Sequence, residues 1–325
     1  MTIPGSVTYI YFYAFSYCTG LQYIDLSECK SLPSITVNRN SGIFGGVSES
    51  TRIYLPGGKG HSDGGEPNVI IGRVCTGGVA ITEGHPFENP VEFDTDDASY
   101  DRTFTSGVTA TVCQPYTIAA ANVTGGTFYS FGGVSSDYVV TMNEVTGDIL
   151  ANTPYLFVPS SETIGFNGTV TVCIANRGTY VSATQGDWTF CGTYEKIDWR
   201  TAEDFGGDLI YGFAANMYGE HVHAGDFVRV EPSNNSYINP YRAYLRYTPP
   251  SGAPAMSPVQ NNSTSLPDRL TVKLVKHDGA ATVIGDMERT DESVGTWYTV
   301  DGQRLSGKPT KKGVYINHGH KVIIK

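Results

Sequence analysis

The chain has 325 residues, enough for about two or three domains. Its formal charge at pH 7 is -10, and an acidic chain repels phosphate backbones, so the composition argues against nucleic acid as a partner. No apolar run approaches the ~20 residues that cross a bilayer, so we expect no transmembrane segment. The chain is rich in Gly (38) and Tyr (21) and poor in Leu, which predicts a mainly β protein.

A short pattern occurs twice near the amino terminus, and a partial copy follows it. Apolar residues two apart lie on one face of a short strand, and the preceding Leu and Cys turn the chain back beneath that strand. The pattern therefore predicts the stacked coils of a leucine-rich solenoid. The copies are Cys18-x-x-Leu21-x-x-Ile24-x-Leu26, Cys29-x-x-Leu32-x-x-Ile35-x-Val37, and Ile53-x-Leu55 followed by Pro56.

The residues before the first copy extend the pattern, with Ile3-Pro4, Val7, Ile10 and then Ala14-Phe15. Together with the first copy they resemble the unit of the BspA-like leucine-rich repeats of Bacteroidales surface proteins. The resemblance reaches to about Pro56 and implies a cell-surface or secreted binding protein. The chain opens in mid-unit, and a stable solenoid needs about three repeats. We therefore expect that an amino-terminal truncation removed further repeats and a signal peptide, which is not visible in the first ten residues.

The strand positions between the apolar pairs are the expected binding surface. A solenoid presents the variable side chains of its strands on its concave sheet. In this chain those positions are Asp25, Thr36 and Tyr54. We predict that they are exposed and face an extracellular protein or polysaccharide.

Composition divides the chain into five segments. A Gly-rich stretch after the repeats contains too few apolar residues to pack, and we expect it to be a linker ending in a hairpin of Val69–Ile71 with Val79–Ile81. The expected segments are a partial leucine-rich repeat segment at 1–57, the Gly-rich linker and hairpin at 58–84, a β-sandwich-like domain at 85–248, a Pro-, Ser- and Asn-rich linker at 249–266, and a small β module at 267–325.

Strand-like segments separated by turn residues recur at close intervals in the central segment, which is typical of an antiparallel sandwich or barrel. Helical periodicity is almost absent, and the one predicted helical turn lies at Asp198–Gly206 with Thr201 as its cap. The predicted strands are Val108–Cys113, Thr127–Phe131, Tyr138–Met142, Tyr155–Val158, Val170–Ile174, Trp188–Tyr194, Phe227–Val230 and Tyr241–Tyr247.

The carboxy-terminal segment has a strand-like run at Leu270–Val275 and a strong hairpin signal at Asp301-Gly302. Two resemblances imply a surface or secreted address. The ending Trp297–Arg304, Lys312–Ile316 and Lys321–Lys325 is similar to the carboxy-terminal sorting domains of the type IX secretion route. The stretches Phe104–Val112, Asn152–Phe157 and Tyr241–Leu245 look like the β-rich region that follows such repeats in Bacteroidales surface proteins.

The six cysteines are widely and irregularly spaced, and the absence of a C-x-x-C pair argues against a zinc ribbon or a redox motif. Cys18 and Cys29 occupy repeat positions that point into a solenoid, and Cys113 and Cys173 follow Thr-Val in strand-like runs. We expect most of the six to be small buried hydrophobic residues, and we predict no disulfide framework.

Two groups offer metal ligands, and each has a plainer interpretation. His221-x-His223 places two imidazoles on one face of a strand, and a solvated strand end is the favoured alternative. The run Asp94–Asp101 offers carboxylates for calcium but lacks the Gly and the distant Glu of an EF-hand loop, so we favour an acidic surface loop. The sequence predicts no cofactor.

A carbohydrate-active function is the alternative to binding through repeats. Carboxylates cluster around three aromatic residues that would contact a sugar, and glycoside hydrolysis needs two facing carboxylates. No G-x-S-x-G, H-E-x-x-H or phosphate-binding glycine motif is present. We expect a non-catalytic binding or adhesion protein, with a carbohydrate-active enzyme or accessory module as the alternative and a passive structural role as the third hypothesis. The alternative would use Trp188, Tyr194 and Trp199 with Glu195, Asp198, Glu203, Asp204 and Asp208.

Overall fold

The computed structural model of the protein describes residues 1–166, 168–176, 178–216, 223–250, 266–284, 297–299, 304–305, 312–317 and 320–324. Within these ranges the protein is mainly β, as the composition predicts, and its strands form several sheets, one of which curls into half a barrel. No helix in the same ranges is long and apolar enough to cross a membrane.

The strands are short and follow one another closely. In the first half of the chain they are β1 (Tyr23–Asp25), β2 (Arg52–Leu55), β3 (Val69–Ile71), β4 (Val74–Cys75), β5 (Val79–Ile81), β6 (Phe93–Thr95), β7 (Ala98–Tyr100), β8 (Ala110–Gln114), β9 (Tyr116–Thr117), β10 (Val123–Thr124), β11 (Gly126–Val134), β12 (Val139–Glu144) and β13 (Thr153–Pro159). In the second half they are β14 (Gly165–Phe166), β15 (Val170–Val172), β16 (Thr179–Gln185), β17 (Trp188–Thr193), β18 (Ile197–Asp198), β19 (Leu209–Phe213), β20 (Phe227–Arg229), β21 (Tyr237–Ile238), β22 (Arg242–Tyr247), β23 (Arg269–Val275), β24 (Ala281–Val283), β25 (Trp297–Thr299), β26 (Arg304–Leu305), β27 (Gly313–Asn317) and β28 (His320–Ile324). Short 3-10 turns lie at Gly42–Phe44, Ala120–Asn122 and Ala202–Phe205, the last within the predicted helical turn.

The amino-terminal residues build a parallel ladder from successive turns of the chain. Asp25 pairs with Thr2 on one side and with Tyr54 on the other, and Tyr54 pairs in turn with Ile70. The first copy of the pattern and the partial copy therefore share one ladder. One residue earlier in each of the three strands, buried apolar side chains stack in register, namely Ile24, Ile53 and Val69.

The second copy of the pattern does not form a coil of its own. Its residue Thr36 makes a parallel bridge with Ser62. The N–H of Val37 donates to the carbonyl of Ser62 at 3.0 Å, and the N–H of Ser62 donates to the carbonyl of Ile35 at 2.9 Å. The first two copies therefore lie on two sides of one coil, and they do not form two neighbouring coils.

The Gly-rich segment takes part in the ladder, so the expectation of a linker at 58–84 is wrong. Ser62 lies within it, and β3 continues the ladder beyond β2. The predicted hairpin is also wrong, because β3 pairs antiparallel with β4 while β5 pairs parallel with β7. Gly64 has a φ of +66°, which lets the chain turn tightly against Val37. Glycine permits such close packing as readily as it permits mobility.

One seven-stranded sheet joins the ladder to the central segment, in the order β1-β2-β3-β4-β6-β15-β9. All four residues of β2 are buried. Ile53 belongs to the apolar core of the ladder, and Tyr54 belongs to a second core that includes Phe93. The predicted boundaries at 57 and 85 therefore do not separate structural units.

A second sheet holds most of the predicted central strands. Its order is β16-β17-β22-β19-β20-β23-β12-β11-β13-β8, with β24 attached to β23. Every strand predicted in the central segment is present, and Val170–Val172 alone among them lies in the seven-stranded sheet. The two halves of the large sheet face each other, since the ring of Phe131 in β11 lies 6.0 Å from that of Phe190 in β17. A buried apolar core lies between the halves, as in layered β architectures.

The strand predicted at Leu270–Val275 belongs to this large sheet, which corrects the expected boundary at 267. β23 pairs with β20 at its start and with β12 along the rest of its length. The buried residues of β23 alternate along the strand, and alternation does not specify which sheet a strand joins. Strands β25 to β28 form a separate antiparallel sheet in the order β26-β25-β27-β28, and the predicted turn Asp301-Gly302 lies outside the described residues.

Four of the six cysteines are buried, in agreement with the prediction for most of them. All six are free thiols, and Cys18 and Cys173 are partly exposed. The buried four are Cys29, Cys75, Cys113 and Cys191.

Candidate binding clefts

The three predicted binding positions differ in exposure. Thr36 is exposed, as expected. The expectation is wrong for Asp25 and Tyr54, which are 5% and 0% exposed. The ladder is covered on both faces, and Phe93 packs against the ring of Tyr54 with 6.1 Å between centroids. The face that was expected to meet a ligand therefore meets the rest of the protein.

Tyr54 ties the ladder to the central segment. Its hydroxyl donates to Oδ1 of Asn89, whose Nδ2 donates to the carbonyl of Cys173 at 2.8 Å. Asn89 and Ala175 also exchange two backbone hydrogen bonds, at 2.7 and 2.9 Å. Burial raises the pKa of Tyr54 above its ordinary value, so the hydroxyl stays protonated and remains a donor. This network is a structural connection.

A groove of about 620 Å³ lies along the edge of the ladder, and we call it the ladder groove. Asp25 borders it, with Oδ1 accepting the N–H and the hydroxyl of Ser27 at 3.0 and 2.6 Å. Charges of both signs around apolar surface suit a protein partner. The side chains that give the groove this character are Glu28, Lys30, Arg73, Val91, Glu92 and Ile174.

Five aromatic side chains lie on the turn before β1, and each is more than half exposed. Two neighbouring pairs of rings meet edge-on, with centroids 4.9 and 4.5 Å apart. The N–H of Phe15 donates to the carbonyl of Ile43 at 3.0 Å, which fastens this turn to the next turn of the chain. We call this set the aromatic patch, and it consists of Tyr9, Tyr11, Phe12, Tyr13 and Tyr17.

The structure does not bring together the three aromatic residues of the carbohydrate alternative. They belong to three different cores and are 8%, 0% and 4% exposed, so they offer no open ring face. Large rings gain most of their stabilisation from burial, and a single sequence does not show which rings are left at the surface. In chain order the three are Trp188, Tyr194 and Trp199, and of these Trp199 borders a cleft.

Carboxylates near these rings make local contacts. Asp198 lies 2.9 Å from Nζ of Lys196 and 3.4 Å from the guanidinium of Arg200. Asp204 accepts the N–H groups of Arg200 and Thr201 at 2.7 and 2.8 Å, which closes the predicted helical turn. These contacts are surface ion pairs and a helix cap.

Within the described ranges, no group of three or more His, Cys, Asp or Glu side chains is placed to hold a metal. His221 lies outside those ranges, and His223 lies within them. The run Asp94–Asp101 contributes to β6 and β7, and its two end carboxylates accept hydrogen bonds from Thr171 at 2.7 Å and from the N–H of Glu83 at 2.6 Å. These carboxylates fasten neighbouring segments to each other.

A second cleft, of about 720 Å³, opens between the large sheet and the paired strands β18 and β21. We call it the arginine cleft. Its lining combines aromatic, amide and hydroxyl groups with three guanidinium groups, and its volume lies in the range of small-molecule sites. The lining side chains include Arg102, Trp199, Arg229, Glu231, Asn235, Tyr237, Asn239, Arg242 and Tyr244.

One carboxylate serves two arginines at one end of the arginine cleft. Oε1 of Glu83 contacts the guanidinium of Arg242 and lies 3.7 Å from Nε of Arg102. Burial lowers the pKa of Arg102 below its ordinary value, and the nearby charge of Arg242 acts in the same direction. The other end is acidic, since Arg229 has two carboxylate partners, Glu231 at 3.4 Å and Asp268 at 3.5 Å. Two arginines therefore meet at the Arg102–Arg242 end, beside Glu83 and beside Asp101, which accepts the N–H of Glu83 at 2.6 Å.

No sequence pattern indicated the arginine cleft, because the residues that form it are far apart along the chain. Glu83 and Arg242 are separated by 159 positions. The alternation in β22 places Arg242 on one face of a strand, but a strand pattern does not identify the segment that this face will meet.

No protein-family model matches the chain, and the comparisons with curated proteins and with solved structures find no similar protein. In the part of the chain that the structure describes, the aromatic patch, the ladder groove and the arginine cleft each offer a binding chemistry.

Proposed function

We propose that the chain is a non-catalytic binding protein that acts at the cell surface or outside the cell, and that its aromatic patch and ladder groove contact an extracellular protein. The observation that carries this proposal is the aromatic patch. Exposed clusters of large apolar side chains mark interaction surfaces, and Tyr is enriched at the positions that dominate binding energy.

The positions of the two surfaces support a shared role. The aromatic patch lies on the turn before β1, and the ladder groove is bordered by Asp25 at the end of β1 and by Arg73 in the turn between β3 and β4. Both surfaces therefore belong to the amino-terminal ladder. Aromatic side chains supply apolar contact area, and the mixed charges of the groove supply specificity.

The sequence pattern supports the extracellular address. The resemblance to BspA-like repeats covers the residues that build the ladder, and the stacking of Ile24 on Ile53 is the arrangement that such repeats would give. The similarity of the ending to type IX sorting domains agrees with an exported protein. Both remain resemblances, and they support the proposal jointly with the aromatic patch.

Binding of the purified chain to an immobilised panel of purified extracellular-matrix proteins tests the proposal. The double variant Tyr9→Ser/Tyr11→Ser should bind any captured protein about tenfold or more weakly, because truncating a dominant aromatic contact costs about 2 kcal/mol. Leu150→Ser is the matched control, since Leu150 is an exposed apolar residue outside the patch. Capture of no protein, or equal capture by the double variant, would count against the proposal.

A carbohydrate-binding function is the second candidate, and the arginine cleft favours it. Tyr237 stands at the rim of this cleft with 49% of its surface exposed, and amide side chains lie beside it. Glu231 lines the cleft and Glu83 is held by two arginines at one end of it, whereas hydrolysis of a glycosidic bond needs two carboxylates that face each other across the substrate. We therefore propose binding without turnover. Release of reducing ends from polysaccharides by the purified chain would overturn this part.

A further inference from the structure

We propose that the arginine cleft binds a sugar residue that carries a carboxylate, such as a hexuronate unit of an extracellular polysaccharide. The inference rests on the carbohydrate-binding function proposed for this cleft and is independent of the aromatic patch. Two features of the cleft carry it, namely the pair of arginines at one end and the exposed aromatic and amide groups beside it.

The carboxylate would lie at the end of the cleft formed by Arg102 and Arg242. Arg242 contacts Glu83 through Nη2, and 29% of its side-chain surface is exposed. A guanidinium has five N–H donors in a planar fork that matches a carboxylate, so the contact with Glu83 leaves donors for a second one. Arg102 is buried and its Nη1 donates to the carbonyl of Thr111 at 2.7 Å, so the partly exposed Arg242 would make the direct contact with the carboxylate.

The sugar ring would lie toward Tyr237. Nζ of Lys196 stands 4.3 Å from the centroid of that ring, which holds the aromatic side chain in place at the rim. Asn235 and Asn239 add amide groups that can donate to and accept from hydroxyls. An aromatic face next to polar groups is the usual composition of a small-molecule site, and the volume of about 720 Å³ lies in the range of such sites.

The charge distribution of the cleft fixes the orientation of the ligand. The chain as a whole has a formal charge of -10, so long-range electrostatics repel an anion and only local contacts attract one. At the opposite end, Glu231 and Asp268 surround Arg229 and disfavour a second carboxylate. We therefore expect a single carboxylate to bind at the Arg242 end.

Titration of trigalacturonate into the full chain, followed by calorimetry, tests the inference. Saturable binding is expected, and it should weaken as NaCl is added, because salt screens charge pairs that are open to solvent. The methyl ester of trigalacturonate has the same rings and hydroxyls without the charge. We expect it to bind about tenfold or more weakly, since hydrogen bonds between charged groups are worth more than neutral ones.

Variants of the cleft locate the site. Arg242→Gln and Tyr237→Ala should each weaken trigalacturonate binding about tenfold, whereas Arg200→Gln, at an exposed arginine outside the cleft lining, should leave it unchanged. Arg242→Gln leaves Glu83 with one arginine and could lower stability. Tyr237→Ala alters an exposed side chain, so its affinity for trigalacturonate decides the test if Arg242→Gln does not fold.

The outcomes separate the acidic ligand from the broader function. Equal affinity for trigalacturonate and its ester would overturn the carboxylate assignment and leave carbohydrate binding standing. Acetate binding as tightly as trigalacturonate would overturn the saccharide assignment. No saturable binding of either trisaccharide would overturn both. The Tyr9→Ser/Tyr11→Ser variant should bind trigalacturonate like the wild type, which keeps this test apart from that of the aromatic patch.

Discussion

The hydroxyl of Tyr54 donates to the side-chain oxygen of Asn89, and both residues are completely buried. Tyr54 stands in the middle of the parallel ladder, and Asn89 lies at the start of the segment that covers it. Asn89 in turn is bonded to Ala175 and Cys173. One buried contact thus connects three segments of the seven-stranded sheet region, and its removal would leave a polar atom without a partner.

Tyr54→Phe should lower the free energy of unfolding by about 1–3 kcal/mol, because Oδ1 of Asn89 would be buried without a donor. Urea unfolding measures the change. Tyr23→Phe is the matched control, since the ring of Tyr23 meets that of Tyr54 edge-on at 6.4 Å while its side chain is only partly buried. A loss of the same size in both variants would show that the hydrogen bond to Asn89 is not the cause.

Gly64→Ala should destabilise the protein more than Gly65→Ala. Both glycines have positive φ, +66° and +78°, so each substitution forces Ala into a left-handed conformation at a cost of about 1 kcal/mol. A Cβ at Gly64 would also collide with the carbonyl oxygen of Val37, whereas a Cβ at Gly65 meets nothing within 4 Å. Thermal unfolding of the two variants measures the difference. Equal losses of thermal stability in the two variants would mean that the Gly-rich segment does not pack against Val37.

The contribution of Asp63 to stability should depend on pH. The N–H of Gly65 and the hydroxyl of Thr76 donate to its carboxylate at 3.0 and 2.7 Å, and these bonds lower the pKa of Asp63 below its ordinary value. Since the folded state has the lower pKa, the stabilisation is present above the unfolded pKa and is lost as pH falls through the folded one. Asp63→Ala should therefore be destabilising at neutral pH and nearly neutral in acid.

Urea unfolding at several pH values checks this, with Asp96→Asn as the control because Asp96 is an exposed carboxylate in the turn between β6 and β7. A destabilisation by Asp63→Ala that did not diminish in acid would point to lost packing and not to the charge.

The six thiols should differ in reactivity toward iodoacetamide in the folded protein. Cys18 is partly exposed, and it should be alkylated first. Burial raises the pKa of Cys113 to about 12 and that of Cys75 and Cys191 to about 11, so these three hold little thiolate and are shielded as well. Peptide mapping by mass spectrometry after a short exposure gives the order. Early labelling of Cys113 would contradict the packing of β8 against β17.

Strand positions were largely predictable, and strand partners were not. Runs of β-branched and aromatic residues between turn residues mark β8, β11, β12, β13, β17, β20, β22 and β23 in the sequence, because such side chains pack well on a pleated strand. Similar apolar runs at Val69–Ile71 and Val79–Ile81 suggested a hairpin, although β5 pairs with β7. Pairing depends on backbone hydrogen bonds between distant segments, which side-chain pattern does not specify.

The exposure of the candidate site residues was also only partly predictable from the sequence. Thr36 is exposed as predicted, whereas Tyr54 is buried because a later segment, from Asn89 to Phe93, covers it. The aromatic patch could have been noticed as a run of Tyr and Phe residues, but such a run is equally compatible with a buried core. Its exposure is known only from the fold.

By itself the sequence determined that the protein is mainly β and acidic, because composition and charge are properties of the chain that do not depend on which segments meet. Tertiary structure decided that the Gly-rich segment joins the ladder, that Tyr54 is buried, and that Glu83 meets Arg242 at the end of a cleft. Those features arise from contacts between residues far apart along the chain, which depend on how the sheets pack in space.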